Sequence, residues 1–160
     1  MSTSWPPHRR QPSRHVTEIA FHFGAPDRLV YTCRLLRKAS ATGARLLVRS
    51  SAQMMGELDK ALWNLGPVDF ITHCDSTAPA AVKARSAVLL QSADQPLHVD
   101  MPILVNLSDD VPKGFEQFQR VIEVVSTDEQ DRSQARRRWK RYTELGYAIT
   151  RHDLTTRAGE

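Results

Sequence analysis

The sequence predicts a three-layer α/β sandwich, an open and mainly parallel sheet with helices on both faces. Segments with strand-like apolar patterning alternate along the 160 residues with segments of helical periodicity. Strand, helix and strand follow one another between Val16 and Arg49, which makes a βαβ unit and favours parallel pairing. A hydrophobic content of 41% and a charged content of 25% are ordinary for one globular domain with its own core.

Val16 to Gly24, VTEIAFHFG, alternates as a strand with Ile19, Phe21 and Phe23 on one face and His22 on the other. Asp27 caps a helix to about Thr42, with Leu29, Cys33, Leu36 and Ser40 at helical spacing, and Gly43 ends it. Ala44 to Arg49 is a short apolar strand. Ser51 opens a second helix that Gly66 and Pro67 close. Its buried stripe is Met54, Met55, Leu58, Ala61, Leu62 and Leu65, and Trp63 lies about 140° from Leu58, so the indole is displayed. With Phe70 nearby it makes an apolar patch suited to a partner, unless the ring folds flat under the following loop. A loop is expected from His73 to Arg85. Strands follow at Ala87 to Leu90, Ile103 to Leu107 and Arg120 to Val125, and Asp109, Asp110, Pro112 and Gly114 mark turns that Phe115 and Phe118 pin down. Tyr147 to Asp153 is the last strand.

Before that strand stands DEQDRSQARRRWKRYTEL, Asp128 to Leu145, followed by Gly146. It has acids in its first turn, no internal proline or glycine, and a glycine just past its end, the signals of a complete helix. Ala135, Tyr142 and Leu145 fall on a side that can face a core. Arg132, Arg136, Trp139, Lys140 and Thr143 form an adjoining stripe, an aromatic ring among three cations. Such a stripe suits a partner with an apolar anchor and several negative charges, though a solvated basic face with its Trp packed sideways would share the same spacing.

Charge and motifs exclude several classes. Residues 1–15 hold Arg9, Arg10 and Arg14 and no acid, so they account for 3 of the net charge of +4 and leave +1 for the rest. That stretch reads as a disordered basic arm, residues 16–160 as one nearly neutral domain, and a broad nucleic-acid-binding surface is not indicated. No apolar run approaches the roughly 18 residues of a membrane span. Cys33 and Cys74 lack the spacing of a zinc site or disulfide framework and read as packed thiols of a cytoplasmic protein. The turn FHFGAPDRL has one glycine where G-x-G-x-x-G needs three, and no P-loop occurs, so no nucleotide cofactor is expected. The six histidines have no metal-binding spacing, and no nucleophile has a nameable base, so neither a metal nor catalysis is expected.

EIAFHF in the first strand, LDKALW with Phe70 after it, the EVV strand end and ARRRWKRYTELGY occur in the order and spacing of a known family. From about Thr17 to Leu154 the chain resembles the chi subunit of bacterial DNA polymerase III holoenzyme, a clamp-loader accessory protein. The resemblance implies a Rossmann-like fold without a nucleotide site and a tethering role in the replisome. One surface would capture the acidic carboxy-terminal tail of the single-stranded-DNA-binding protein, which ends in Pro-Phe. Carried over, that site falls on Val125, Arg132, Arg136, Trp139 and Lys140, with Trp139 where the family commonly has tyrosine. A second surface, for the psi subunit or in competition a helicase, falls on Trp63 and Phe70. The alternative is direct binding of single-stranded nucleic acid by the Arg-rich helix and basic arm, with Trp139 as a stacking platform.

Overall fold

The computed structural model describes residues 16–65, 71–98 and 100–154. Its elements are β1 (Glu18–Ala25), α1 (Arg28–Ala41), β2 (Leu46–Ser50), α2 (Ala52–Trp63), β3 (His73–Asp75), α3 (Ala80–Arg85), β4 (Val88–Ser92), β5 (Ile103–Asn106), β6 (Arg120–Ser126), α4 (Glu129–Glu144) and β7 (Ile149–Asp153). The seven strands form a sheet in the order β3-β4-β2-β5-β6-β1-β7, and every pairing between them is parallel.

Side-chain alternation divides the interior into two cores. On one face Leu46, Val48, Val88, Leu90, Val105 and Val124 pack with Leu36 of α1 and with Leu58 and Leu62 of α2. On the other, Ile19, Phe21, Leu47, Leu89, Leu104, Val121 and Val125 pack with Ala135 and Tyr142 of α4 and with Phe115 and Phe118. This is the predicted three-layer sandwich. Because both faces are covered, the central strands are mostly apolar runs, broken by Arg49, Gln91, Asn106 and Glu123.

The predicted caps form. Asp27 accepts from the Val30 amide at 3.1 Å, Ser51 from Met54 at 3.2 Å and Asp128 from Asp131 at 3.1 Å. Gly146, at φ 94°, turns the chain out of α4 in a conformation that costs other residues a Cβ clash. Both cysteines are free and half-buried. Burial, with Asp27 nearby, pushes the Cys33 thiol up. Among the described residues no helix is long and apolar enough to cross a membrane.

Two expectations are corrected. The stretch from His73 to Arg85 contains β3 and α3 and is not all loop. A three-residue strand shows no period of its own; it exists because His73, Cys74 and Asp75 pair with Val88, Leu89 and Leu90. Leu145 does not face the core, being 44% exposed at the α4 cap. The buried positions of α4 are Ala135, Arg138 and Tyr142, one of them an arginine. In α1 the residues fully covered are Thr32 and Leu36, with Leu29 and Cys33 half-buried beside them. The predicted basic arm and Phe70 lie outside the described residues.

Candidate functional site: a cavity at the carboxyl ends of three strands

The strand order makes a crevice. From β1 the chain leaves by α1 on one face of the sheet, and from its neighbour β6 it leaves by α4 on the other. Connections that depart on opposite faces from adjacent strands leave an opening beyond their carboxyl ends, the position where open α/β sheets bind ligands. A β-bulge lies at its edge. The β1–β6 register runs Phe23↔Val125 and then Ala25↔Ser126, so Gly24 is the extra residue, at φ 82°.

A cavity of about 600 Å³ occupies this place. Gly24, Ser126 and Thr127 form its strand-end rim, and α4 supplies Arg132, Ala135, Arg136 and Trp139. The far wall is Phe23 with Arg151 and Asp153 of β7. Its apolar base is continuous. The Trp139 ring lies 5.1 Å from Phe21 and 5.9 Å from Phe23, whose own rings are 5.7 Å apart. Trp139 is half-buried, with one side in this aromatic cluster and the other in the cavity.

The acids in the first turn of α4 hold the site together. Asp131 accepts from the Ser126 amide at 2.8 Å and the Ser126 hydroxyl at 2.9 Å, fastening α4 to the end of β6. It also stands 3.6 Å from Arg28 of α1. Glu129 pairs with both cavity arginines, 3.6 Å from Arg132 and 3.0 Å from Arg136. The guanidinium of Arg151 lies over the Phe23 ring, 5.0 Å from its centroid. The lining thus carries three guanidiniums and one carboxylate around two aromatic rings, an arrangement that holds an anionic, partly apolar occupant. Among the described residues no histidine or cysteine lines it.

Of the sequence-predicted site, Arg132, Arg136 and Trp139 come together on the cavity wall. Val125 does not reach the surface. It is fully buried in the core against which Trp139 packs, because its position in β6 points it under α4. Lys140 is exposed and is not among the lining residues. Thr143 bonds back to the Trp139 carbonyl at 3.0 Å. Trp63 is 59% exposed at the end of α2, as predicted, with its ring 5.0 Å from that of His73. His73 is itself held between the Ile71 carbonyl and Asp59. Since His73 belongs to β3 and Arg151 to β7, the two candidate surfaces sit at opposite edges of the sheet. Six strand spacings of about 4.8 Å put them roughly 30 Å apart.

Sequence reasoning missed the far wall of the cavity and the polar network behind α4. In that network Glu123, fully buried in β6, accepts from Arg138 Nε at 2.9 Å, Asn106 Nδ2 at 2.9 Å and the Tyr142 hydroxyl at 2.7 Å. Arg138 Nη1 also donates to the Asp109 carbonyl at 3.1 Å. Burial pushes the Glu123 carboxyl up, against the pull of Arg138 and these hydrogen bonds. Burial and the Glu123 charge together push the Tyr142 phenol far above its ordinary range. Two signals pointed to the network. Arg138 stands three residues after Ala135 and four before Tyr142, on the same helix face, and Glu123 interrupts an apolar strand.

A family model, DNA polymerase III chi subunit, HolC, matches residues 16–150. The DNA polymerase III subunit chi of Pseudomonas aeruginosa is 32% identical over 129 residues, covering 79% of this chain and 87% of that protein. The DNA polymerase III subunit chi of Haemophilus influenzae is 25% identical over 130 residues, covering 76% and 84%. The matched span runs from the start of β1 into β7 and includes all of α4. With its parallel sheet and an opening that lacks nucleotide-binding glycines, this chain belongs to the family of DNA polymerase III chi subunits.

Proposed function

We propose that the protein is a non-catalytic adaptor of the replisome, attaching the clamp loader of DNA polymerase III to the single-stranded-DNA-binding protein by gripping that protein's acidic carboxy-terminal tail. The observation that supports this reading best is the cavity at the ends of β6, β1 and β7, where an aromatic base lies among Arg132, Arg136 and Arg151. A terminal phenyl ring packs on Trp139 and Phe23, the guanidiniums take the terminal carboxylate, and upstream acids run along the exposed side of α4 past Arg132. Val125 contributes by supporting Trp139 from below, and Lys140 acts at longer range.

The test is a peptide of three acidic residues followed by Ile-Pro-Phe. Binding in the micromolar range is expected, weakening as salt rises, with several tails on an oligomeric partner adding avidity. Amidation of the terminus should weaken binding about tenfold or more. Equal binding of acid and amide overturns the carboxylate contact, and no binding of either overturns tail capture.

The second surface, built on Trp63 and Phe70, takes the psi subunit or a helicase. Its support is the exposed indole at the far edge of the sheet from the cavity. Trp63→Ala is expected to leave peptide affinity within about twofold of wild type, since distant sites act independently, while removing the second partner in a pull-down. Loss of both activities would show that the two surfaces are not separate. The nucleic-acid alternative loses one cation that the sequence offered it, because Arg138 of α4 is buried.

A further inference from the structure

Three guanidiniums line the cavity, and they are not equivalent. Arg132 and Arg136 share one carboxylate, Glu129, at 3.6 and 3.0 Å, so part of their charge is already answered. Arg151 differs. Among the described residues it makes no ion pair, and its guanidinium lies over the Phe23 ring at 5.0 Å. In β7 it stands opposite Phe21 in register, on the face that α4 covers. Stacking on a ring fixes the plane of a guanidinium while leaving its N–H edge open, and that edge matches the two oxygens of a carboxylate. The floor beside it is the pair of rings best placed to hold an apolar side chain, Phe23 and Trp139.

We propose that Arg151 is the specificity-determining residue that recognises a free chain terminus. Its guanidinium receives the α-carboxylate of the occupant, while Phe23 and Trp139 hold the last side chain and Arg132 and Arg136 meet acids further upstream. This rests on the reading that an acidic carboxy-terminal tail fills the cavity. It assigns to β7 a role that the basic stripe of α4 does not contain.

The experiment measures, by fluorescence anisotropy, the affinity ratio between the free acid and the amide of the acidic Ile-Pro-Phe peptide. For the wild-type chain the ratio should be about tenfold or more. In Arg151→Gln it should fall to about one, and in Arg151→Lys, which keeps the charge but loses the planar fork, it should lie between. In Arg136→Gln both peptides should weaken together and the ratio should stand. A ratio kept in Arg151→Gln, or one that collapses in Arg136→Gln instead, overturns the assignment while leaving tail capture intact. A wild-type chain that binds neither peptide overturns tail capture and this assignment with it. Arg151 is exposed on an edge strand, so the variants should unfold at the wild-type midpoint; a lowered midpoint in Arg151→Gln that Arg151→Lys restores, with the ratio unmoved, counts against it.

Discussion

Arg138→Met is expected to lower the unfolding free energy by about 3–5 kcal/mol at neutral pH, the usual cost of leaving one member of a buried ion pair without the other. Glu123 would keep its bonds from Asn106 and Tyr142 but lose the only cation that touches it among the described residues. The deficit should depend on pH in a stated direction. Burial already raises the Glu123 carboxyl, with Arg138 as the first influence that opposes it, so removing Arg138 raises it further. A carboxyl that titrates higher in the folded state than in the unfolded one binds more protons when folded, and stability then falls as pH rises. The variant should therefore recover part of its loss as pH is lowered toward about 4. Adding Glu123→Gln to Arg138→Met removes the stranded charge and should restore stability in part. Equilibrium denaturation across pH checks this; a loss under about 1 kcal/mol, or one independent of pH, would mean that the pair does not anchor α4.

Trp139→Ala is expected to weaken binding of the acidic Ile-Pro-Phe peptide by about 30-fold or more, the effect of removing a central aromatic anchor worth about 2 kcal/mol. The ring serves both partners of the contact, since it rests on Phe21 and Phe23 and also walls the cavity. Trp139→Tyr keeps an aromatic wall and should retain most of the affinity, whereas a general disturbance of the fold would harm both variants alike. Calorimetric titration at low salt makes the comparison. An affinity for Trp139→Ala within about threefold of wild type would place the peptide elsewhere. Single-stranded oligonucleotide at near-physiological salt should bind weakly to all three proteins; tight binding lost in Trp139→Ala would favour the stacking alternative.

What the sequence made legible was what short stretches decide for themselves. Asp27, Ser51 and Asp128 cap their helices as read, because a cap depends on three or four consecutive residues. Arg132, Arg136 and Trp139 share a wall because helical spacing alone brings them together. Pairing at long range was not legible. Arg151 and Asp153 reach the cavity because β7 lies beside β1, and nothing within ITRHD says which strand it will join. β3 owes its existence to a neighbour in the same way. Depth was also hidden: strand phase gives the face of Val125 but not how much lies over it. Arg138 stood among identical neighbours, and although helical spacing sets it on the face of Ala135 and Tyr142, its partner Glu123 lies in another element and could not be paired with it from sequence.

The position of β1 has a consequence for synthesis. Its partners are β6 and β7, and Ile19 waits for Val121, about 100 residues later in the chain. At about 5–20 residues per second, the ribosome leaves the newborn strand unmated for roughly 5–20 s. During that interval Ile19, Phe21 and Phe23 are sticky surface on a tethered nascent chain, an invitation to chaperones and to neighbouring polysomes alike. The two outlying strands that build the pocket's far side are thus among the last parts to settle, and a protein truncated before β6 would have no pocket to offer, however well its first helix had formed.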